Sequence, residues 1–190
     1  MRRAVRLLAI AAVACPLLWG VPAGAQFVTA ARADATLAQQ AEAYQYLTGY
    51  QDADAIVALM PPGVLAVMTD QAGGDEAGLR AALASGIETQ WRAYEVVGLE
   101  MDTDGARRGT LEGGEPYAIV PTTTTVRAPD GRLGVVESET FALKSEATGW
   151  HLLRVDMPAT ADLIRAAYPS LSGVAFAPVE AGFVTGEGGE

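Results

Sequence analysis

Cysteine and histidine each occur once in the 190 residues, as Cys15 and His151. A single histidine excludes a multi-histidine metal site, and a lone cysteine at position 15 excludes a disulfide framework within the chain. Charge is sparse at 19%, and cations are the scarcer sign, 13 Lys plus Arg against 23 Asp plus Glu for a net −10. Nucleic-acid binding needs clustered cations against the phosphates, so that class is disfavoured, and Arg107-Arg108 is too short to supply the patch. There is no G-x-S-x-G nucleophile elbow, no G-x-G-x-x-G turn and no P-loop, which removes the usual signals for serine hydrolysis and nucleotide binding. What is abundant is apolar: half the residues are hydrophobic, too many for a disordered chain, and the length fits one domain with tails.

Residues 1–25, MRRAVRLLAIAAVACPLLWGVPAGA, have the three parts of an export signal in order. Arg2, Arg3 and Arg6 form the positive start, an apolar run extends from Leu7 to Trp19, and Ala23-Gly24-Ala25 is a small-residue cleavage site. The run is short of the roughly 20 residues that span a bilayer. Cys15 follows Ala12-Val13-Ala14, but the usual lipobox leucine is missing and the apolar run continues past it, so general secretion is preferred to lipidation. Arg2-Arg3 lacks the rest of a twin-arginine motif. The expected mature chain is a periplasmic or secreted protein of 165 residues with no membrane span. It retains ten cations against 23 anions and has no thiol nucleophile or thiolate ligand.

Residues 26–35 read as a lead-in. Leu37, Ala41, Tyr44 and Leu47 then draw a helical stripe. Asp52 is placed to cap a second helix that Pro61-Pro62 stops, with at most one further turn over Val64–Met68. Asp75 is placed to cap a third, in which Leu79, Leu83, Ile87 and Trp91 recur every four residues, and Gly78 and Gly86 in that helix suggest close packing. From Tyr94 the pattern becomes strand-like. A β-rich stretch to Met101 precedes a polar connection over 102–115 that can conceal a short edge strand. YAIVPTTTTVR over 117–127 follows, with Pro121 implying an edge or a bulge, then the hairpin turn Pro129-Asp130-Gly131. Leu133–Lys144 returns, and WHLLRVD over 150–156 is the last strand. Thr160 is a candidate cap for a short helix that Pro169 ends, and the tail over 169–190 is apolar first, then acidic and Gly-rich.

Three helices, an antiparallel meander and a short C-terminal helix make an α+β fold with helices on one face of a sheet. The helix pair around Asp52-Ala53-Asp54, the helix ending at Trp91, the strand and turn YAIVPTTTTVRAPDG and the closing GWHLLRVD carry a resemblance. Over 36–168 the chain resembles the NTF2-like superfamily of cone-shaped domains, which includes SnoaL-like and ketosteroid isomerase-like proteins. The resemblance implies a strongly curved sheet wrapped about the helices with a pocket between them, and often a dimer through the outer sheet face. The strands independently show apolar residues at both parities, so both faces need covering: one by helices, the other by a partner subunit in a homodimer or by the apolar tail.

Candidate chemistry is thin. His151 as a general base needs a carboxylate or hydroxyl neighbour; with Leu153 and Val155 at its parity it reads better as a strand histidine at the sheet surface or dimer face. Asp102-Thr103-Asp104-Gly105 fails the EF-hand pattern, with Gly two positions early and Gly113 where the bidentate Glu belongs, and reads as a polar turn. No metal or cofactor is implied. The resemblance makes Tyr50, Asp54, Tyr117, His151 and Asp156 weak candidates for proton transfer, although no motif places them together and capping accounts for Asp52 or Asp54. Glu137 and Glu139 share a parity, and Arg154 is a partner for one of them, in a polar cavity or as a surface pair. Tyr44, Tyr46, Trp91 and Tyr94, with Arg154, are the candidates to line a pocket for a small apolar or amphipathic ligand; core packing is the competing use of each aromatic. Non-catalytic binding of such a ligand or of a protein partner in the cell envelope is the reading that results. Metal-independent acid–base isomerisation or dehydration is the alternative, and a scaffold with a filled pocket the third.

Overall fold

The computed structural model describes residues 35–184. The segment read as an export signal, with Cys15, nearly all of the expected lead-in and the acidic end of the tail lie outside the described residues.

Helix α1, Leu37–Gly49, opens on a capping box in which Thr36 Oγ1 accepts from the Gln39 amide and the Gln39 side chain accepts from the Thr36 amide. Its predicted stripe Leu37, Ala41, Tyr44 and Leu47 is buried throughout. Helix α2, Ala53–Ala58, is capped by Asp52 as expected. The proline pair does more than stop it. Pro62 occupies the first turn of a separate ten-residue helix α3, Pro62–Gln71, where its missing N–H has no intrahelical acceptor to lose. Four helices therefore precede the sheet, not three. Helix α4, Glu76–Ala93, is capped by Asp75. Its glycines do not mark close helix packing: a Cβ on Gly78 would meet the capping Asp75 carboxylate, and one on Gly86 would meet nothing. Its apolar stripe is only half-buried, with Ala84 alone fully enclosed.

The sheet is antiparallel, in the order β1 (Glu95–Met101), β3 (Pro116–Arg127), β4 (Leu133–Ser145) and β5 (Gly149–Val155). The 102–115 connection does hold a short strand, β2 (Arg107–Thr110), which takes over from β1 along β3. Pro121 is on neither an edge nor a bulge; β3 is central. Its carbonyl accepts from the Asp102 amide just where β1 ends and β2 has not begun, so its missing N–H faces the seam between two partner strands. The Ala128–Arg132 hairpin closes as predicted, with Gly131 at φ +85°. Helix α5, Pro158–Ala167, starts at Met157 with Pro158 in its first turn, ahead of the candidate cap Thr160. A 3-10 turn over Pro169–Leu171 and a final strand β6 (Glu180–Phe183) follow; β6 pairs with the part of β4 that β5 leaves free.

α1 touches both β1 and β5, the two ends of a four-strand path. Strands about 4.8 Å apart would set these roughly 14 Å from each other in a flat sheet, so the sheet curls about the helix. One sheet face buries Ala118, Val120, Ala142, Trp150 and Leu152 against α1 and the end of α2. The other buries Ile119, Phe141, Leu143 and Val155 against α3, α5 and Leu171, with Val174 and Phe176 of the tail added. That second face is thus covered by helices as well, α3 from the first half of the chain and α5 from the second, with part of the tail. Among the described residues no helix is long and apolar enough to cross a membrane.

Candidate functional site

Along β3, residues 118, 120, 122 and 124 point to the α1 side, and in-register partners on β4 and β5 share that side. The residues change character along the strands. At one end stand Ala118, Val120, Ala142 and Leu152; at the other, Thr122 and Thr124 sit opposite Ser138 and Val136, while Arg154 sits opposite Thr140. Thr122, Thr124, Ser138 and Thr140 are all buried.

This hydroxyl cluster is only partly paired. Thr122 Oγ1 lies 3.0 Å from the Val120 carbonyl, to which it donates, and 2.8 Å from Thr140 Oγ1. Among the described residues Thr124 Oγ1, Ser138 Oγ and Arg154 Nε are buried with no hydrogen-bond partner; the fourth such atom, Thr69 Oγ1, is on α3. An unmet buried polar group costs about 1–3 kcal/mol, so three on one patch of one sheet face is a concentrated departure from ordinary packing. Arg154 donates through Nη2 to Asp156 Oδ1 at 2.8 Å, the side chains keeping 19% and 44% of their exposure. Tyr44 reaches the same place from α1. Burial pushes its hydroxyl up to about 12, with the Arg154 charge pulling down and the Asp156 charge pushing up.

Beside this patch lies a cleft of about 490 Å³, open to solvent. Trp91 and Tyr94 at the end of α4 form one wall; Val96, Val126 and Val136 form the sheet side. Arg154, Asp156 and Thr124 lie at its polar part, and β6 forms its rim through Ala181 and Phe183. The tail thus borders the cleft and does not fill it. Phe183 packs over Gly134, beneath the Arg132 guanidinium at 4.1 Å.

The residues proposed for proton transfer do not converge. Tyr50 is 71% exposed and stacks on Tyr46, itself 61% exposed, with ring centroids 4.2 Å apart on the outside of α1. Asp54 is exposed in the first turn of α2. Tyr117 lies on the other sheet face, its ring over Gly109, where a Cβ would collide with it. His151 is also on that face and is buried, not at a surface. Its Nδ1 is 3.1 Å from the Met60 carbonyl, which can only accept, and its Nε2 is 2.7 Å from Thr148 Oγ1, so Nδ1 carries a proton and the ring is tied at both nitrogens. Only Asp156 of the five lines the cleft.

Of the aromatic and cationic set, Trp91, Tyr94 and Arg154 line the cleft, Tyr44 is buried next to it, and Tyr46 points away. Arg154 does not pair with Glu137 or Glu139, because register sends those side chains to the opposite face. Glu139 instead takes Arg107 at 2.9 Å and the Ala177 amide at 2.8 Å, which pins the tail to the sheet. The Asp102–Gly105 segment is a polar turn in which Asp102 Oδ1 accepts from the Gly105 amide, and among the described residues no three acidic or histidine side chains gather as a metal site. Sequence reasoning missed the hydroxyl cluster and β6. The available signal was the four-threonine run of β3, since strand alternation sends two of four inward.

No family model, curated protein or solved structure matches this chain.

Proposed function

We propose that this chain is an exported NTF2-like domain that binds a small amphipathic ligand in the cleft between α4, the curled sheet and β6. One observation carries the reading: a cleft of about 490 Å³ whose lining is mostly apolar and aromatic and includes the hydrogen-bonded Arg154–Asp156 pair. Sites for small molecules run from about 300 to 1,000 Å³ and combine apolar walls with a few fixed polar groups, and this cleft has both properties. Export rests on residues 1–25 and the cone fold on the helix–meander–helix order. The acid–base alternative draws less support, because a proton relay needs its acid and base within hydrogen-bond reach of one point and four of its five candidates lie elsewhere.

The test is displacement of an environment-sensitive anilinonaphthalene dye from residues 26–190, compared with a Val136→Trp variant that fills the sheet side of the cleft. Dye bound in the cleft is expected to lose affinity on the order of tenfold, equivalent to about 1.4 kcal/mol. Equal binding by a folded Val136→Trp protein would sink the reading.

A further inference from the structure

Resting on the cleft as the binding site, we infer that its ligand is a single-chain amphiphile with a carboxylate head, held at Arg154 with its tail along Trp91, Val126 and Val136. The chemistry at the polar part sets the head group. Arg154 has five N–H donors and no acceptor, and Asp156 engages it through one nitrogen while staying half-exposed. Nε of Arg154 and the Thr124 hydroxyl, both on residues that line the cleft, have no hydrogen-bond partner among the described residues. Glu137 and Glu139, the carboxylates nearest along β4, point to the other sheet face, and Glu139 is committed to Arg107. The polar part of the cleft therefore holds donors without an acceptor. Its natural complement is a group of acceptor oxygens carrying negative charge, since charge-assisted bonds to a guanidinium are the strong ones and a carboxylate matches its planar fork. The apolar walls leave no second charged group to meet a second head, which fits one tail and one head.

Dodecanoate, methyl dodecanoate and 1-dodecanol, titrated calorimetrically at neutral pH into residues 26–190, test this directly. They share a chain length and differ in head charge. Dodecanoate is expected to bind at least tenfold more tightly than the ester or the alcohol. Arg154→Leu should bring that ratio to about one while leaving the ester's affinity within about threefold, tenfold being the measure of one charge-assisted contact. Because Arg154→Leu bears on a buried patch, its melting transition is checked, and Thr124→Val serves as a second, near-isosteric variant expected to narrow the ratio severalfold. Ester or alcohol binding as tightly as the acid overturns the carboxylate and leaves the cleft reading intact. So does a ratio unchanged in both variants. If none of the three compounds binds, the cleft reading itself falls.

Discussion

The two ends of one sheet face are built from the same strands and differ in what they ask of their residues. At the closed end Val120, Ala142 and Leu152 sit under α1, buried to 1% or less, and every one is apolar. Two residues further along β3 and β5 and four along β4, Thr122, Arg154 and Ser138 occupy the same face. Thr122, Thr124 and Ser138 are buried there, yet Thr124 Oγ1, Ser138 Oγ and Arg154 Nε lack partners among the described residues. At the closed end side chains are chosen by packing, where each apolar group removed from water contributes to stability. At the open end a stability criterion alone would replace Thr124 and Ser138 by Val and Ala. The contrast separates the part of the face that holds the fold together from the part left for chemistry.

The sharpest way to break this contrast is to damage each end. Leu152→Ala at the closed end should cost about 2–5 kcal/mol, as large-to-small core changes do, measured by urea unfolding. A loss under about 1 kcal/mol would mean that α1 does not seal this end.

Tyr44 stands at the boundary and gives the next largest effect. Its hydroxyl is pushed from 10.0 up to about 12 by burial, so between those values the folded state holds a proton that the unfolded state has released. The stability this represents is complete below pH 10 and is lost as pH rises through 12, in total on the order of 2–3 kcal/mol. Tyr44→Phe should flatten that part of the stability–pH curve. An unchanged alkaline slope would show that Tyr44 is not enclosed.

Removing β6 by truncation after Pro178 should cost less, about 1 kcal/mol, because its four residues are exposed and contribute mainly edge hydrogen bonds to β4. Dye affinity should fall with it, since Phe183 and Ala181 leave the cleft rim. Retained affinity would remove β6 from the site.

The smallest effect is the most diagnostic. Ser138→Ala deletes a buried hydroxyl without a partner, so thermal unfolding should move by less than about 1 kcal/mol, and toward greater stability. A clear loss would mean that Ser138 is already satisfied and that the open end is packed like the closed one.

Much of the fold was legible along the chain. The α1 stripe, the Asp52 and Asp75 caps and the Ala128–Arg132 hairpin all form where local patterns place them. Pro62 misled because proline ends a helix and begins one equally well, and only the chain beyond it shows which. His151 misled for a longer-range reason: its partner is the carbonyl of Met60, 91 residues away, and no pattern in the β5 sequence announces that contact. Of the site, Trp91, Tyr94 and Arg154 were within reach of residue type alone. The hydroxyl cluster was not. Tyr117 and Ile119 are as apolar as Ala118 and Val120, so alternation along β3 does not show which threonines turn toward α1.

By itself the sequence determined most of the element order and several helix starts, because caps, periodicity and turns act over a few residues whose spacing the chain already sets. Tertiary structure decided which sheet face each polar side chain occupies, that Glu139 belongs to Arg107 and Arg154 to Asp156, and that β6 borders a cleft. Those choices depend on strand register and on a sheet curled about α1, and both are settled only when residues far apart in sequence pack together.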